Sequence, residues 1–197
     1  MYGSGSSGTD AGVAELRSPL EGVQQSFLAA MAELREEGRG GPADPTEIGR
    51  EIRTFGASWS SADGFATYVR WLRDQTREDA PRPEGHVPAT NLWWVEDDQY
   101  LGRIAVRHRL TPQLREVGGH IGYDVRPSAR RRGYATAMLR LALPVARRLG
   151  ITSALVTCDI QNVASRRVIQ RNGGVLEDRR GSKLRFWVPT GCGDAGP

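Results

Sequence analysis

The stretch RPSARRRGYATAML, residues 126–139, sets four arginines immediately before a glycine, small residues and an apolar helical pattern. Like charges this close repel one another, so the segment needs compensation. Three partners would supply it: a nucleic acid, the phosphates of a cofactor, or water around a solvated turn. The flanking residues narrow the choice. HIGYDV, residues 120–125, reads as a strand with Ile121, Tyr123 and Val125 on one face, and residues 135–150 read as a helix stopped by Gly150. A strand, a turn and a helix N-terminus make an anion site, because the first helix amides lack internal acceptors and the helix dipole favours negative charge there. Gly133 lets a phosphate approach the backbone, and Ala135 does so less completely. A Walker loop needs a lysine that is absent here. A Rossmann fingerprint needs its glycines after the strand, and those of GGHIGY lie before and inside it.

The elements that must position this turn follow from periodicity. Helical spacing marks residues 19–38 and 61–78, and PRPEGHVP, residues 81–88, is extended. Residues 89–97 and 100–108 form a hairpin signal around Asp97-Asp98-Gln99, although the favoured turn glycine is missing. Residues 109–119 are a connection and 151–160 a buried strand. Asn162 caps a short helix that stops at Asn172-Gly173, and two strands close the chain at 174–178 and 182–188. Pro144 should kink the helix that contains it or remove one of its hydrogen bonds, and Met138, Ala142, Val145 and Leu149 should share that helix's buried face. One α/β domain is expected over residues 18–190, with its core at 87–188, a flexible leader at 1–17 and a flexible tail at 191–197.

Composition excludes some functions. Hydrophobic residues make up 39% and charged residues 25% of the 197, an ordinary globular balance. No apolar run approaches the roughly 20 residues of a membrane span. Cys158 and Cys192 are the only cysteines, too few for a disulfide scaffold, so a reduced, cytoplasmic setting is the expectation. His86 and His108 are isolated, so no metal site is expected. Net charge is +4 with Lys183 the only lysine, and no acidic residue lies between Arg126 and Cys158. Plain solvation accounts for Arg166 and Arg167, a helix C-terminus for Arg147 and Arg148, and small-residue packing for Cys158. Of Trp93 and Trp94, one should be core and the other on the surface or lining a pocket.

Arg130-x-x-Gly133-x-Ala135 between strand and helix, followed by Gly150, a buried strand and Asn162-x-x-Ser165, resembles the acyl-CoA signature of the GNAT superfamily of N-acyltransferases. The resemblance runs from about residue 87 to 188. It is nearest to a subgroup of bacterial predicted acetyltransferases in which GGHIGYDVRPSARRRGYA, TCD-x-x-N-x-AS and R-[FY]-W-V recur in this order.

That resemblance implies a mixed, mostly antiparallel sheet flanked by helices and splayed at the acyl-CoA site. It implies acetyl-CoA as cosubstrate and no metal. The pyrophosphate would rest on the amides of Arg131, Arg132, Gly133, Tyr134, Ala135 and Thr136, with Arg130 opening the motif. The pantetheine arm would run beside Tyr123, Asp124 and Val125, with Asn162 and Ser165 on its far side.

Acyl transfer to an amine needs a neutral nucleophile, a polarised thioester carbonyl and a proton for the thiolate. His120, Asp124 and Glu116 are the candidate bases. Many relatives carry a tyrosine acid where this chain has Ile169, so Ser165, Tyr123 or solvent must substitute, or catalysis relies mainly on proximity. The acceptor expected is a primary amine of a small molecule, bound by the N-terminal helices and residues 109–119, and a homodimer is left open. Two other readings compete: a transferase of this fold that takes its acyl group from aminoacyl-tRNA, and a catalytically silent CoA-binding module. A plain nucleic-acid-binding protein has no motif to support it.

Overall fold

Alternating aromatic and branched residues at Ala89–Glu96 (β2) and Gln99–Arg107 (β3) pair as an antiparallel hairpin. Asp97 takes the left-handed conformation, at φ 52°, that the two-residue turn requires and that glycine usually supplies. The structure is a computed structural model and describes residues 13–191. Around the hairpin a seven-stranded sheet is completed by Glu15–Arg17 (β1), Ile121–Val125 (β4), Ser153–Asp159 (β5), Val175–Arg180 (β6) and Lys183–Pro189 (β7), in the order β1-β2-β3-β4-β5-β7-β6. Every neighbouring pair is antiparallel except β4 and β5. The mixed, mostly antiparallel architecture is the one expected.

Among the described residues five of six α-helices cover the two faces. Gln24–Glu36 (α1), Glu47–Phe55 (α2) and Ala62–Asp74 (α3) lie on one side; Tyr134–Arg148 (α5) and Val163–Arg171 (α6) lie on the other; Pro112–Glu116 (α4) is one turn in the connection before β4. The sheet therefore separates two cores. Phe27, Trp59, Tyr68 and Trp93 pack under α1 to α3, while Trp94, Met138, Ile169 and Phe186 pack under α5 and α6. None of the described helices is long and apolar enough to cross a membrane.

Several expectations need correction. Glu15–Arg17 was assigned to the flexible leader, yet it pairs with Trp93–Val95 of β2; residues 1–12 and the tail from Cys192 onward lie outside the described residues. Trp93 and Trp94 are both core, at 0% and 5% exposure, because alternation sends them into different cores when both sheet faces are covered. The helix α2 was not foreseen. Its nine residues include Gly49 and bury only Ile48 and Ile52 as large apolar groups, so periodicity is faint, although Thr46 caps it by accepting from the Gly49 amide. The buried stripe of α5 is Met138, Leu139, Ala142, Leu143 and Ala146, with Leu149 exposed. Pro144 faces solvent in that helix, where water can satisfy the carbonyl it frees.

Candidate functional site

Where β4 leaves β5, the sheet opens. The two strands hold one register pair, Ile121 with Val156, and Gly122 to Val125 have no partner on β5. The closed end is pinned from the β4 side. Gly119, at φ 62°, brings its backbone so near the Leu155 carbonyl that any Cβ would collide with it. The His120 amide donates to that carbonyl at 2.7 Å, and the Leu155 amide donates to His120 Nδ1 at 2.9 Å. At the open end the hydroxyls of Tyr123 and Ser165 meet at 2.7 Å, linking β4 to α6. Burial pushes the Tyr123 phenol well up, so it stays protonated at neutral pH.

The turn after β4 is an amide cradle. Arg131 and Gly133 both take positive φ, 65° and 84°, and α5 starts at Tyr134. The first helical bond beyond the turn is Ala137 N–H to the Gly133 carbonyl. Among the described residues, the amides of Arg131 to Thr136 have no acceptor on the backbone or on a side chain. A Cβ at Gly133 would point into open space. Amides left without acceptors at a helix N-terminus are the kind of donors that suit an anion.

The four arginines divide into two pairs. Arg126 Nε lies 2.6 Å from Glu33, which also accepts from the Ser128 amide and hydroxyl at 2.9 and 3.0 Å. These bonds and the Arg126 charge outweigh burial and hold the Glu33 carboxyl below its usual range. Arg130 binds both oxygens of Glu37 at 2.6 and 2.7 Å and donates Nε to the Val125 carbonyl at 3.2 Å. Glu33 and Glu37 are four apart at the end of α1, so α1 clamps the turn from outside. Arg131 and Arg132 are exposed and have no ion-pair partner among the described residues. The cluster is thus half neutralised by the fold and half left to an anion. Arg130, expected at the cofactor, also takes part in this clamp through Glu37.

The other end of the opened strand faces a cleft of ≈ 770 Å³ on the α2 side of the sheet. Ala89 and Asn91 of β2, Arg103, Ala105 and Arg107 of β3, and Gly122 and Asp124 of β4 form its floor, with Glu47, Arg50 and Glu51 of α2 above. Arg103 and Glu51 are buried together, at 4% and 3% exposure, in a two-pronged pair, and the Tyr68 hydroxyl donates to Glu51 at 2.5 Å. Burial raises the Glu47 carboxyl pKa, but Arg50, Arg103 and Arg107 outweigh that and keep it ionised. Arg39, from the loop after α1, reaches Asp124 at 3.4 Å.

Of the proposed bases, only Asp124 reaches the cleft. His120 packs 6.4 Å from the Trp187 ring, and its Nδ1 lone pair is taken by the Leu155 amide. Burial, with Arg115 and Arg107 nearby, lowers its pKa to about 4. It is a neutral pin between strands. Glu116 pairs with Arg180 on the surface. Asn162 lines the cleft's edge and caps α6 by accepting from the Ser165 amide at 2.9 Å. Ile169 is fully buried, so a tyrosine there would need a different α6 packing. Glu47, Glu51, Arg103 and Arg107 were missed. Arg103 and Arg107 flank Ala105 on one face of an otherwise apolar strand, and that pattern was the available signal. Among the described residues no group of three or more His, Cys, Asp or Glu is placed to hold a metal ion.

This arrangement has close counterparts in fold. The ribosomal-protein-S5-alanine acetyltransferase of Vibrio fischeri superposes with a TM-score of 0.62 at 11% identity, over 94% of this chain and 100% of that one. Mycobacterium smegmatis RimJ, solved with CoA-disulfide, gives 0.60 at 18%, over 90% and 82%. The PaiA N-acetyltransferase of Thermoplasma acidophilum, solved with coenzyme A, gives 0.53 at 15%, over 90% and 99%. No curated protein matches the sequence significantly. The family description "Acetyltransferase (GNAT) domain" matches residues 43–175, more than half of the chain. By that match over more than half of its length, this chain belongs to the GNAT acetyltransferases.

Proposed function

We propose that the protein transfers an acetyl group from acetyl-CoA to a primary amine of a small molecule. One observation carries the reading: six partnerless amides at residues 131–136 lie at one end of an unpaired β4 edge, whose other face meets a cleft. The residues present suit the cosubstrate. The cradle takes a pyrophosphate, Arg131 and Arg132 add charge at its rim, and the Gly122–Val125 edge offers the hydrogen bonds of a missing strand to an amide-bearing arm.

Acetyl-CoA would supply an acyl group activated as a thioester. The protein's own part is orientation and proton handling. The free β4 amides polarise the acyl oxygen, and holding amine and acyl group together removes much of the entropic barrier. Asp124, beside Arg39, takes the proton that the amine loses as the N–C bond forms and passes it to cleft water. Ser165, hydrogen-bonded to the protonated Tyr123, gives a proton to the sulfur as the C–S bond breaks and regains one from solvent.

The test is release of free CoA thiol across a panel of small primary amines, with the acetylated product identified by mass. Turnover of at least one amine supports the reading. Acetyl-CoA binding without transfer to any amine would indicate a silent binding module. Acyl transfer from aminoacyl-tRNA alone would indicate the other donor.

A further inference from the structure

Resting on that proposed activity, the cleft also carries information about the acceptor. Its floor holds a notch of small side chains, Ala89, Ala105 and Gly122, with Arg107 beside it. The Arg107 Nη atoms lie 3.7 and 3.8 Å from where a Cβ of Gly122 would stand. Nη1 donates to the carbonyls of Gly118 and Gly119 at 3.2 and 3.3 Å. Nη2 has no acceptor in hydrogen-bond reach; its nearest carboxylate is Glu47, at 3.8 Å.

The other cations lining the cleft differ. Arg39, Arg50, Arg103 and Lys183 each have a carboxylate oxygen within 3.4 Å, and Arg53 is exposed. Among the described residues Arg107 alone is a largely buried cation here without such a partner. Its Nη2 therefore keeps hydrogen-bonding capacity free beside the notch, with Glu47 near it but beyond hydrogen-bond distance. Burial, and repulsion from Arg50 and Arg103 against the attraction of Glu47, lower its pKa. The group is still a guanidinium at any working pH.

We infer that Arg107 binds a carboxylate of the acceptor, and that the acceptor is a free α-amino acid. Position supplies the second half of the argument. Gly122 and Asp124 face the cleft two residues apart on β4, about 7 Å along the strand. A carboxylate on Arg107 and an amine directed to Asp124 then fit the close spacing of the two groups of an α-amino acid. Both also lie against the unpaired edge where the acyl group is to be presented.

The experiment compares the twenty L-amino acids with their carboxamides as acceptors, in the wild-type protein and in Arg107→Met and Arg107→Lys. Loss of one charged hydrogen-bonding partner corresponds to roughly 10- to 100-fold in kcat/KM. The wild type should prefer at least one free acid over its amide by that factor. Arg107→Met should reduce the preference below about 3-fold, and Arg107→Lys, which keeps the charge without the planar fork, should fall between. Calorimetric binding of the same pairs in the presence of CoA gives a readout without turnover. Equal use of acid and amide, an unchanged preference in Arg107→Met, or binding of none of the twenty would overturn the inference. Transfer to amines that lack a carboxylate would leave the acetyltransferase reading standing while removing this one, whereas absence of transfer to every amine would remove that reading itself.

Discussion

The hydroxyl of Tyr123 stands 2.7 Å from that of Ser165, and the bond crosses from β4 to α6 where β4 and β5 have separated. Ile169, buried in the core, offers no proton, so these two hydroxyls are the candidates for the leaving-group acid. If they protonate the leaving sulfur, Ser165→Ala should lower kcat by roughly 100-fold, the low end of a general-acid contribution. The Kd for acetyl-CoA should stay within about 3-fold, since the phosphate amides are untouched. Tyr123→Phe should lower kcat less, because Ser165 can still donate. Parallel loss of binding and kcat would mean that the pair only shapes the gap.

His120 supplies a pH prediction. Its folded pKa, about 4, lies below the ordinary 6.5, so the unfolded chain binds more protons between those values. Its contribution to stability is complete above pH 6.5 and is lost as pH falls toward 4, by about 3 kcal/mol. Asparagine can place an amide oxygen near Nδ1 and does not titrate. His120→Asn should therefore lose less stability between pH 7 and 4 than the wild type in denaturant titrations. Its kcat at neutral pH should remain within about 3-fold of wild type, since His120 pins strands and handles no proton. A kcat loss beyond about 100-fold would restore it as the base.

The α1 clamp has one strong and one weak half. Glu33 is partly buried and accepts from Arg126 and twice from Ser128, whereas the Arg130–Glu37 pair is more exposed. Glu33→Ala should cost about 2 kcal/mol of unfolding free energy and Glu37→Ala less than about 1 kcal/mol. Chemical denaturation of the two variants checks the order. Equal costs would show that the turn does not depend on Glu33.

Beneath the cleft, Glu51 and Arg103 are buried as a pair. Replacing Glu51 by alanine strands the guanidinium and should cost about 3–5 kcal/mol. The double variant Glu51→Ala, Arg103→Met should recover much of that loss, because no buried charge is then left over. A double variant no more stable than Glu51→Ala would contradict the account.

The cradle was legible because it is local: strand, glycine and helix start follow one another, and the physics of a helix N-terminus does not depend on distant contacts. Asn162 as a cap was legible for the same reason. The cleft was not. Its floor combines three strands and its roof is α2, so Glu51 opposite Arg103 is a pairing across 52 residues that spacing does not reveal. The same limit governs the arginines. The sequence shows four repelling charges, but only the return of α1 shows that Glu33 and Glu37 neutralise two of them. The place of His120 was hidden for a related reason: strand alternation puts it in phase with Asp124, while the separation of β4 from β5 puts Asp124 at the cleft and His120 between strands.

The central claim is that the amides around Gly133 hold the phosphates of acetyl-CoA. Its most direct test is calorimetric titration of the wild type and Gly133→Val with acetyl-CoA. Valine strains the positive φ of 84° and projects its side chain into the open space over the cradle. The wild type should bind with micromolar affinity, and the variant, shown folded by its melting curve, should bind at least roughly 100-fold more weakly. Equal binding by the two would place the phosphates elsewhere and contradict the account.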